Sequence, residues 1–343
     1  MGKRKFLTQK DIRTINKLLY GDRRCRPENR IGLLVPQCAA SREMETSSVA
    51  RVTITSNIHD AVESAPIESL TNPALENVRA KIQEVINQKI ELYYRVYESQ
   101  KALSRFKSRM LGIPYLWNCI SPSKQYTDQL HRLKSAVEKV QKSYNKCVLN
   151  LEYTFTSSQE QCWNDFRTAI EDASRCQAVW DIVADCGSAS VNADNGTRTI
   201  FHFDRRKIRV GKSDLDVIRY KEPALFLENS NGANFYFYPS FVVLENNQQV
   251  AIIAPNELRI SGSSVLMLEE SAASDAPQVD QVWIHAKKDG TRDLRYKDNP
   301  SAPIVEYYRV DIVTSTGVRE SYLFSNPHVG KSIVGTWLLF STK

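Results

Sequence analysis

Two apolar heptad tracks in succession constrain this 343-residue chain more than any other feature of its sequence. Stepping by three and four along residues 75–110 gives eleven seam positions, and only Lys89 and Ser99 among them are not apolar. Along residues 126–151 all eight seam positions are apolar or aromatic. Such spacing indicates two helices of about 36 and 30 residues, and the short connection between them predicts an antiparallel helical hairpin packed as a coiled coil.

The sequence that follows the hairpin changes from a helical to a strand-like pattern. Ser157-Ser-Gln-Glu160 has the form of a capping box, which predicts a third helix that ends near Asp185. From Thr197 onward, short apolar runs alternate with turn residues, as is typical of antiparallel strands. We predict strands at 197–203, 224–228, 235–245, 249–254, 265–269, 279–285, 304–314 and 317–325, and a C-terminal helix at 327–340.

These elements predict an α+β fold in three parts. Residues 1–73 form a basic arm and linker, with short strands at 31–35 and 49–54, and residues 74–186 form the hairpin and the third helix. Residues 188–343 form an antiparallel β sandwich with Trp283 and Tyr236 in its core. Several antiparallel strands followed by one helix is also the element order of a pleckstrin-homology-like domain.

The charge of the chain is unevenly distributed. Residues 1–150 carry 26 Lys/Arg and 14 Asp/Glu, whereas residues 151–343 carry 20 and 25, so the two parts have net charges of +12 and −5. This asymmetry favours a polyanion or an acidic protein as partner of the first part, and the alternative is a basic surface that is merely solvated. No apolar run is long enough for a transmembrane segment or follows the N-terminus as a signal peptide would require, and the seven scattered cysteines suggest reduced thiols, so we expect a cytoplasmic protein.

Several short patterns in the second half resemble a bacterial family of uncharacterised accessory proteins. They are Val179-Trp-Asp181, Tyr236-Phe-Tyr-Pro239, Trp283 with the block Lys288–Asn299, and Ser315-Thr-Gly317, and together they span about residues 178–326. Thr291-Arg292 stands where the family has Gly-Pro. The resemblance implies an accessory component, in some cases beside mobile-element or phage-defence genes, and implies no established activity.

Patterns that announce catalysis are absent from the sequence. It has no GxSxG nucleophile elbow and no complete phosphate-binding loop, and its cysteines and histidines do not cluster as zinc ligands do. Asp214, Asp216 and Lys221 resemble the acids and lysine of a metal-dependent nuclease, but aspartates at this spacing more often belong to a turn. We therefore expect neither a catalytic residue nor a bound metal or cofactor.

Three segments are candidate binding sites. The loop at 287–297 combines basic residues with an aromatic, a combination that binds phosphates or bases unless its aspartates pair with the cations and simply order the loop. The apolar hairpin tip favours a partner contact or a membrane-surface anchor, and the alternative is that Leu116 and Trp117 pack against the N-terminal arm or a second copy of the chain. The candidate residues are Arg23, Arg24 and Arg26 in the basic arm, Lys287, Lys288, Arg292, Arg295, Tyr296 and Lys297 in the loop, and Tyr115, Leu116 and Trp117 at the tip.

The function that the sequence favours is that of a non-enzymatic interaction or scaffold protein with a protein partner, and self-association through the hairpin is left open. One alternative is a nucleic-acid-binding accessory subunit that uses the basic arm and the loop. The other is a metal-dependent hydrolase built around Asp214 and Asp216.

Overall fold

The computed structural model describes residues 60–62, 64–109, 124–153 and 155–342, all within one compact unit that spans Ser48–Lys343. The strands predicted at 31–35 and 49–54 lie outside the described residues. Within them, the α-helices are α1 (Glu76–Arg109), α2 (Lys124–Lys146), α3 (Ser157–Ala173) and α4 (Pro327–Ser341). None of these helices has the length and apolar character needed to cross a bilayer.

The strands confirm the predicted α+β class, since helices come first and antiparallel sheets follow. They are β1 (Asp60–Ala61), β2 (Leu149–Asn150), β3 (Val179–Ala193), β4 (Gly196–Lys207), β5 (Val210–Lys212), β6 (Ile218–Arg219), β7 (Leu225–Leu227), β8 (Asn234–Tyr238), β9 (Phe241–Asn246), β10 (Gln249–Ile253), β11 (Arg259–Leu268), β12 (Gln278–Trp283), β13 (Ser301–Val313) and β14 (Arg319–Phe324). A seven-stranded sheet has the order β1-β3-β14-β13-β11, with β4 also on β3 and β12 also on β13. A five-stranded sheet has the order β10-β9-β8-β7-β5, and β2 and β6 form a short parallel pair.

The first two helices run antiparallel and meet along the predicted seams as far as Lys146. The predicted continuation of the second helix through Cys147 to Leu151 is wrong, because the helix ends at Lys146 and β2 begins at Leu149. Phe106 near the end of α1 stacks on Tyr126 near the start of α2 with ring centroids 5.4 Å apart, and Tyr93 meets Tyr144 at 6.5 Å. Every predicted seam position within α2 is half-buried, and all of its other positions except Gln141 are exposed. The heptads therefore locate the helix–helix contact, and coiled-coil packing in the strict sense stays a prediction.

The lysine in the α1 seam fixes the base of the hairpin. Lys89 is buried, and its Nζ lies 3.0 Å from Asp216 Oδ2, 2.5 Å from the Asp216 carbonyl oxygen and 5.1 Å from the ring centroid of Tyr144. A buried ammonium group is costly unless its donors are satisfied. The polar seam position is thus the place where both helices attach to the loop that precedes β6.

The third helix is shorter than the sequence predicts. Its N-cap is Thr156, whose hydroxyl accepts from the Gln159 amide, so the capping box lies one residue earlier than predicted. The helix ends at Ala173, and the predicted extension to Asp185 is wrong, because β3 already begins at Val179. This strand forms a long hairpin with β4 through a two-residue turn, where Ala193 pairs with Gly196.

The five-stranded sheet has one strand more than the sequence predicts across residues 235–245. Pro239 and Ser240 form a turn, and the segment folds back as a hairpin in which Tyr238 pairs with Phe241. Proline has no backbone N–H to donate to a ladder, which explains why the predicted single strand is interrupted there.

Both faces of the five-stranded sheet are buried. On one face Phe235, Phe237, Val242, Leu244, Ala251 and Ile253 pack with α3, α4 and the seven-stranded sheet. On the other face Tyr236, Tyr238, Val243, Val250 and Ile252 pack with Ile82 and Ile86 of α1. Burial of Tyr236 in the core is as predicted. Strands covered on both sides read as continuous apolar runs, and this accounts for the unbroken aromatic sequence of β8.

The C-terminal helix closes the core between the two sheets. Asn326 caps α4 by accepting from the His328 amide, and Pro327 occupies its first turn, as predicted. Trp337 is 1% exposed; its ring lies 4.9 Å from that of Phe166 on α3 and 5.5 Å from that of Phe237 on β8. Its Nε1 donates to the Leu258 carbonyl at 2.8 Å, so the indole is fully packed and also hydrogen-bonded.

Trp337→Ala should lower the free energy of unfolding by about 3–5 kcal/mol, because truncation of a buried aromatic loses its contacts and leaves a cavity. Its neighbour Leu338 is 59% exposed and provides a matched control, since Leu338→Ala should change stability by less than about 0.5 kcal/mol. Urea unfolding of both variants measures the difference. Equal losses would contradict the assignment of Trp337 to the core.

Candidate functional site

The segment between β12 and β13 folds as a compact projection, which we call the β12–β13 lobe (residues 284–299). Its backbone continues the hairpin: the Ile284 amide donates to the Pro300 carbonyl at 3.1 Å, and Ala286 bridges Arg292. The Lys287 amide donates to the Thr291 carbonyl at 2.8 Å, and the Asp289 carboxylate accepts from the Thr291 amide and hydroxyl. The loop predicted from the sequence is therefore an ordered structure.

Two buried polar side chains lock the lobe from inside. The amide group of Asn299 accepts from the His285 amide at 2.9 Å and donates to the His285 carbonyl at 2.7 Å. The carboxylate of Asp293 accepts from the amide and the guanidinium of Arg295 at 3.0–3.1 Å. These hydrogen bonds lower the pKa of Asp293 to about 2, so the carboxylate stays ionised in ordinary buffers.

A glycine attaches the tip of the lobe to the seven-stranded sheet. Gly290 has a φ of 88° and is buried, and a Cβ at this position would meet the carbonyl oxygen of Ala193 in the β3–β4 turn. Nearby, the buried carboxylate of Asp280 on β12 accepts from Arg198 Nε at 2.9 Å and from the Asn195 amide at 3.2 Å. The lobe is therefore held against a rigid turn.

The structure divides the predicted basic residues into two groups. Arg292 and Arg295 are used within the lobe, because Arg295 binds Asp293 and Arg292 lies 5.1 Å from the ring centroid of Trp283. Lys287, Lys288 and Lys297 are exposed and form no ion pair with any residue that the structure describes. Tyr296 is 45% exposed, and it stacks on His285 with centroids 3.8 Å apart.

The predicted burial of Trp283 in the core is wrong. The side chain is half-buried under the Arg292 guanidinium, and no described residue accepts a hydrogen bond from its buried Nε1. Trp283 is the last residue of β12, so its ring supports the lobe instead of filling the sandwich.

Sequence reasoning missed Leu294, the most exposed large apolar residue of the lobe. It is 76% exposed and lines a shallow depression of about 480 Å³ together with Lys287, Asp293 and Arg295. A leucine between charged residues gives no periodic signal. The only sequence feature that points to Leu294 is its position inside the block that ends at Asn299, because that block fixes the surrounding backbone.

The remaining sequence candidates do not assemble in the described structure. Asp216 binds Lys89, and Asp214 accepts from the Ala224 amide at 3.4 Å. Across residues 60–62, 64–109, 124–153 and 155–342, no three His, Cys, Asp or Glu side chains are placed to hold a metal ion. Arg23, Arg24, Arg26, Tyr115, Leu116 and Trp117 lie outside the described residues.

A second group of buried ionisable residues lies on β3 and β14, which are neighbouring strands within the seven-stranded sheet. Asp181 on β3 is fully buried; Ser230 donates to its Oδ2 through amide and hydroxyl, and no described residue donates to its Oδ1. Glu320 on β14 is 2% exposed and accepts from the Ser64 hydroxyl at 2.5 Å. Burial raises the pKa of Asp181. Burial also raises the pKa of the Tyr322 phenol, and the negative charges of Glu320 and Asp181 raise it further. These residues hold the loop at 229–232 and the segment at 64 against the sheet.

No family model, curated protein or solved structure matches this chain. The resemblance in the sequence to bacterial accessory proteins therefore stays a prediction.

Gly290→Ala should destabilise the lobe, since the added methyl group strikes the backbone of Ala193 and alanine is strained at the positive φ that Gly290 adopts. Gly196→Ala is a matched control, because Gly196 also has a positive φ but has no atom within 4 Å of the added carbon. Hydrogen exchange should accelerate at the Asp293 and Tyr296 amides in the first variant only. Unchanged protection in Gly290→Ala would contradict the packing of the tip.

The pH dependence of stability should separate the two buried aspartates. The raised pKa of Asp181 means that ionisation of its carboxyl costs stability as pH rises above about 4, the ordinary pKa of an aspartate, so Asp181→Asn should gain stability relative to the parent as pH rises from there. Asp293 has a lowered pKa, so its contribution is present above about pH 4, and Asp293→Asn should be destabilising at pH 7. Unfolding titrations across this range measure both, and a shared sign would contradict the assignment.

Proposed function

We propose that this protein is a non-enzymatic interaction protein that docks on an acidic protein surface through the β12–β13 lobe. The observation that carries the proposal is the exposed Leu294 beside Tyr296 on a backbone that buried hydrogen bonds already hold in place. A preformed surface does not pay the conformational entropy of ordering a loop on binding.

The exposed residues of the lobe have the composition of a binding hot spot. Tyrosine and arginine are enriched at such positions, and they act best where an apolar anchor enters a pocket on the partner. Leu294 is the anchor in this proposal, with Tyr296 and the 84% exposed Arg295 beside it.

The charge of the lobe specifies the chemistry of the partner. Lys287 lines the depression beside Leu294, and Lys287, Lys288 and Lys297 are all exposed and form no ion pair with described residues. A complementary partner therefore presents an apolar pocket with carboxylates at its rim. Such charges mainly raise the association rate and exclude wrong partners, while the buried anchor supplies affinity.

We also propose that the β-rich part has a pleckstrin-homology-like arrangement. Antiparallel strands β11–β14 followed by α4 support it through their order, and the lobe is then one of the connecting loops through which such sandwiches bind. The accessory role implied by the sequence resemblance fits a protein that recruits a partner and performs no chemistry itself.

Photo-crosslinking in the source cells tests this proposal. The full chain carries p-benzoylphenylalanine at Leu294 or, as a control, at Leu338, which is also a leucine with more than half of its surface exposed. We expect one discrete adduct from the Leu294 position, none from the Leu338 position, and loss of the adduct on Lys287→Glu with Lys288→Glu.

The cross-linked protein, once identified and purified, should bind the parent in a calorimetric titration, and Leu294→Ala should weaken binding about tenfold or more. No adduct at Leu294, an equal adduct at Leu338, or unchanged affinity of the Ala variant would each overturn the docking role of the lobe.

A further inference from the structure

The outer half of the hairpin, which we define as residues 97–109 and 124–143, is strongly basic. It contains nine Lys/Arg and three Asp/Glu, a net charge of +6. The structure describes all of these residues, and none of them is buried. The pair of basic helices thus extends about 30 Å beyond its attachment at Lys89, because α1 continues for 20 residues to Arg109.

One side of α1 arranges these charges regularly. Tyr97, Lys101, Arg105 and Arg109, which we call the outer stripe, follow one another at intervals of four residues, or about 6 Å along the helix. Lys101 lies about half a turn from the seam positions 99 and 103 and so faces away from α2. Tyr97 and Arg109 each lie one residue, about 100°, from the predicted seam positions 96 and 110, so the ends of the outer stripe flank the seam.

The residues of the outer stripe are accessible. Tyr97 is 44% exposed, and the Lys101 ammonium lies 5.3 Å from its ring centroid. Lys101 also meets Glu98 at 3.5 Å, an exposed pair of the kind that contributes little to stability. Arg105 and Arg109 are exposed and form no ion pair with any residue in the described part of the chain.

The chemistry of the outer stripe distinguishes among its partners. A second copy of the hairpin would bring two surfaces of the same charge together, which electrostatic repulsion opposes. An acidic protein would also match the row of cations, and the polyglutamate competition below distinguishes it; the exposed ring at the end of the row favours a partner with stacking surfaces. A nucleic-acid strand matches both features, because its phosphates repeat along the backbone and its unpaired bases stack on aromatic side chains.

We propose that the outer stripe binds single-stranded nucleic acid, with Lys101, Arg105 and Arg109 on successive phosphates and Tyr97 stacked on a base. This activity is separate from docking through the β12–β13 lobe, and neither requires the other.

Fluorescence anisotropy with a labelled single strand of about 20 nucleotides, longer than a typical single-strand site, tests the proposal on the full chain. The parent should bind with an affinity that falls steeply with salt. Lys101→Gln, Arg105→Gln and Arg109→Gln together should reduce the log–log slope by about 2, because each phosphate contact on a single strand contributes about 0.7. Glutamine has nearly the helix propensity of lysine and arginine, and circular dichroism verifies that the helices persist.

A matched triple variant controls for net charge. Lys139→Gln, Lys142→Gln and Lys146→Gln remove the same charge from exposed positions of α2 and should leave the slope nearly unchanged. Tyr97→Ala should weaken binding about 5- to 100-fold, whereas Tyr97→Phe, which keeps the ring, should bind as the parent does.

Several outcomes would overturn the proposal. One is the absence of salt-dependent binding by the parent, and another is an equal effect of the two triple variants. A third is that duplex of the same sequence binds as tightly as the single strand and that Tyr97→Ala does not change its affinity. Competition by polyglutamate or anionic vesicles as effective as competition by unlabelled strand would also overturn it, since the outer stripe would then recognise negative charge alone.

Discussion

Burial of the five-stranded sheet on both faces is the interaction on which the rest of the molecule depends. One face packs against α3, α4 and the seven-stranded sheet, and the other packs against the base of α1. A sheet in this position cannot alternate apolar and polar residues, because water reaches neither side. The same burial anchors the base of the hairpin on the β-rich part, since Ile82 and Ile86 in the first turns of α1 are buried.

Elements that depend on contacts close in sequence can be predicted from the sequence, whereas elements that depend on pairing between distant segments cannot. The seams of α1 and α2 are readable because each follows a local helical repeat, and the polar exception at Lys89 marks the attachment to Asp216. The start of β3 is not readable in that way, because apolar residues around Val179 continue the pattern of the preceding helix. Asn195-Gly196 is a hairpin signal that separates β3 from β4. The signal predicts a hairpin only where strands are recognised on both sides of it.

The candidate site shows the same division. Basic and aromatic residues between positions 287 and 297 are visible in the sequence, but which cations remain available depends on distances. Arg295 lies next to Asp293 and Arg292 next to Trp283, so the structure removes two of the five cations from any external contact that needs them unpaired. A tryptophan in a strand normally indicates a core, and only the position of Trp283 at the end of β12 places its ring beneath the lobe.

The two proposed surfaces differ in what gives them specificity. In the β12–β13 lobe, Asn299 and Asp293 fix the backbone by buried hydrogen bonds, so shape is the recognised property and salt should affect mainly the rate of association. In the outer stripe the helix itself supplies the spacing, the side chains are long and mobile, and counterion release should dominate the affinity. Under the two proposals salt separates the contacts, because raising the salt concentration should weaken binding at the outer stripe far more than binding at the β12–β13 lobe.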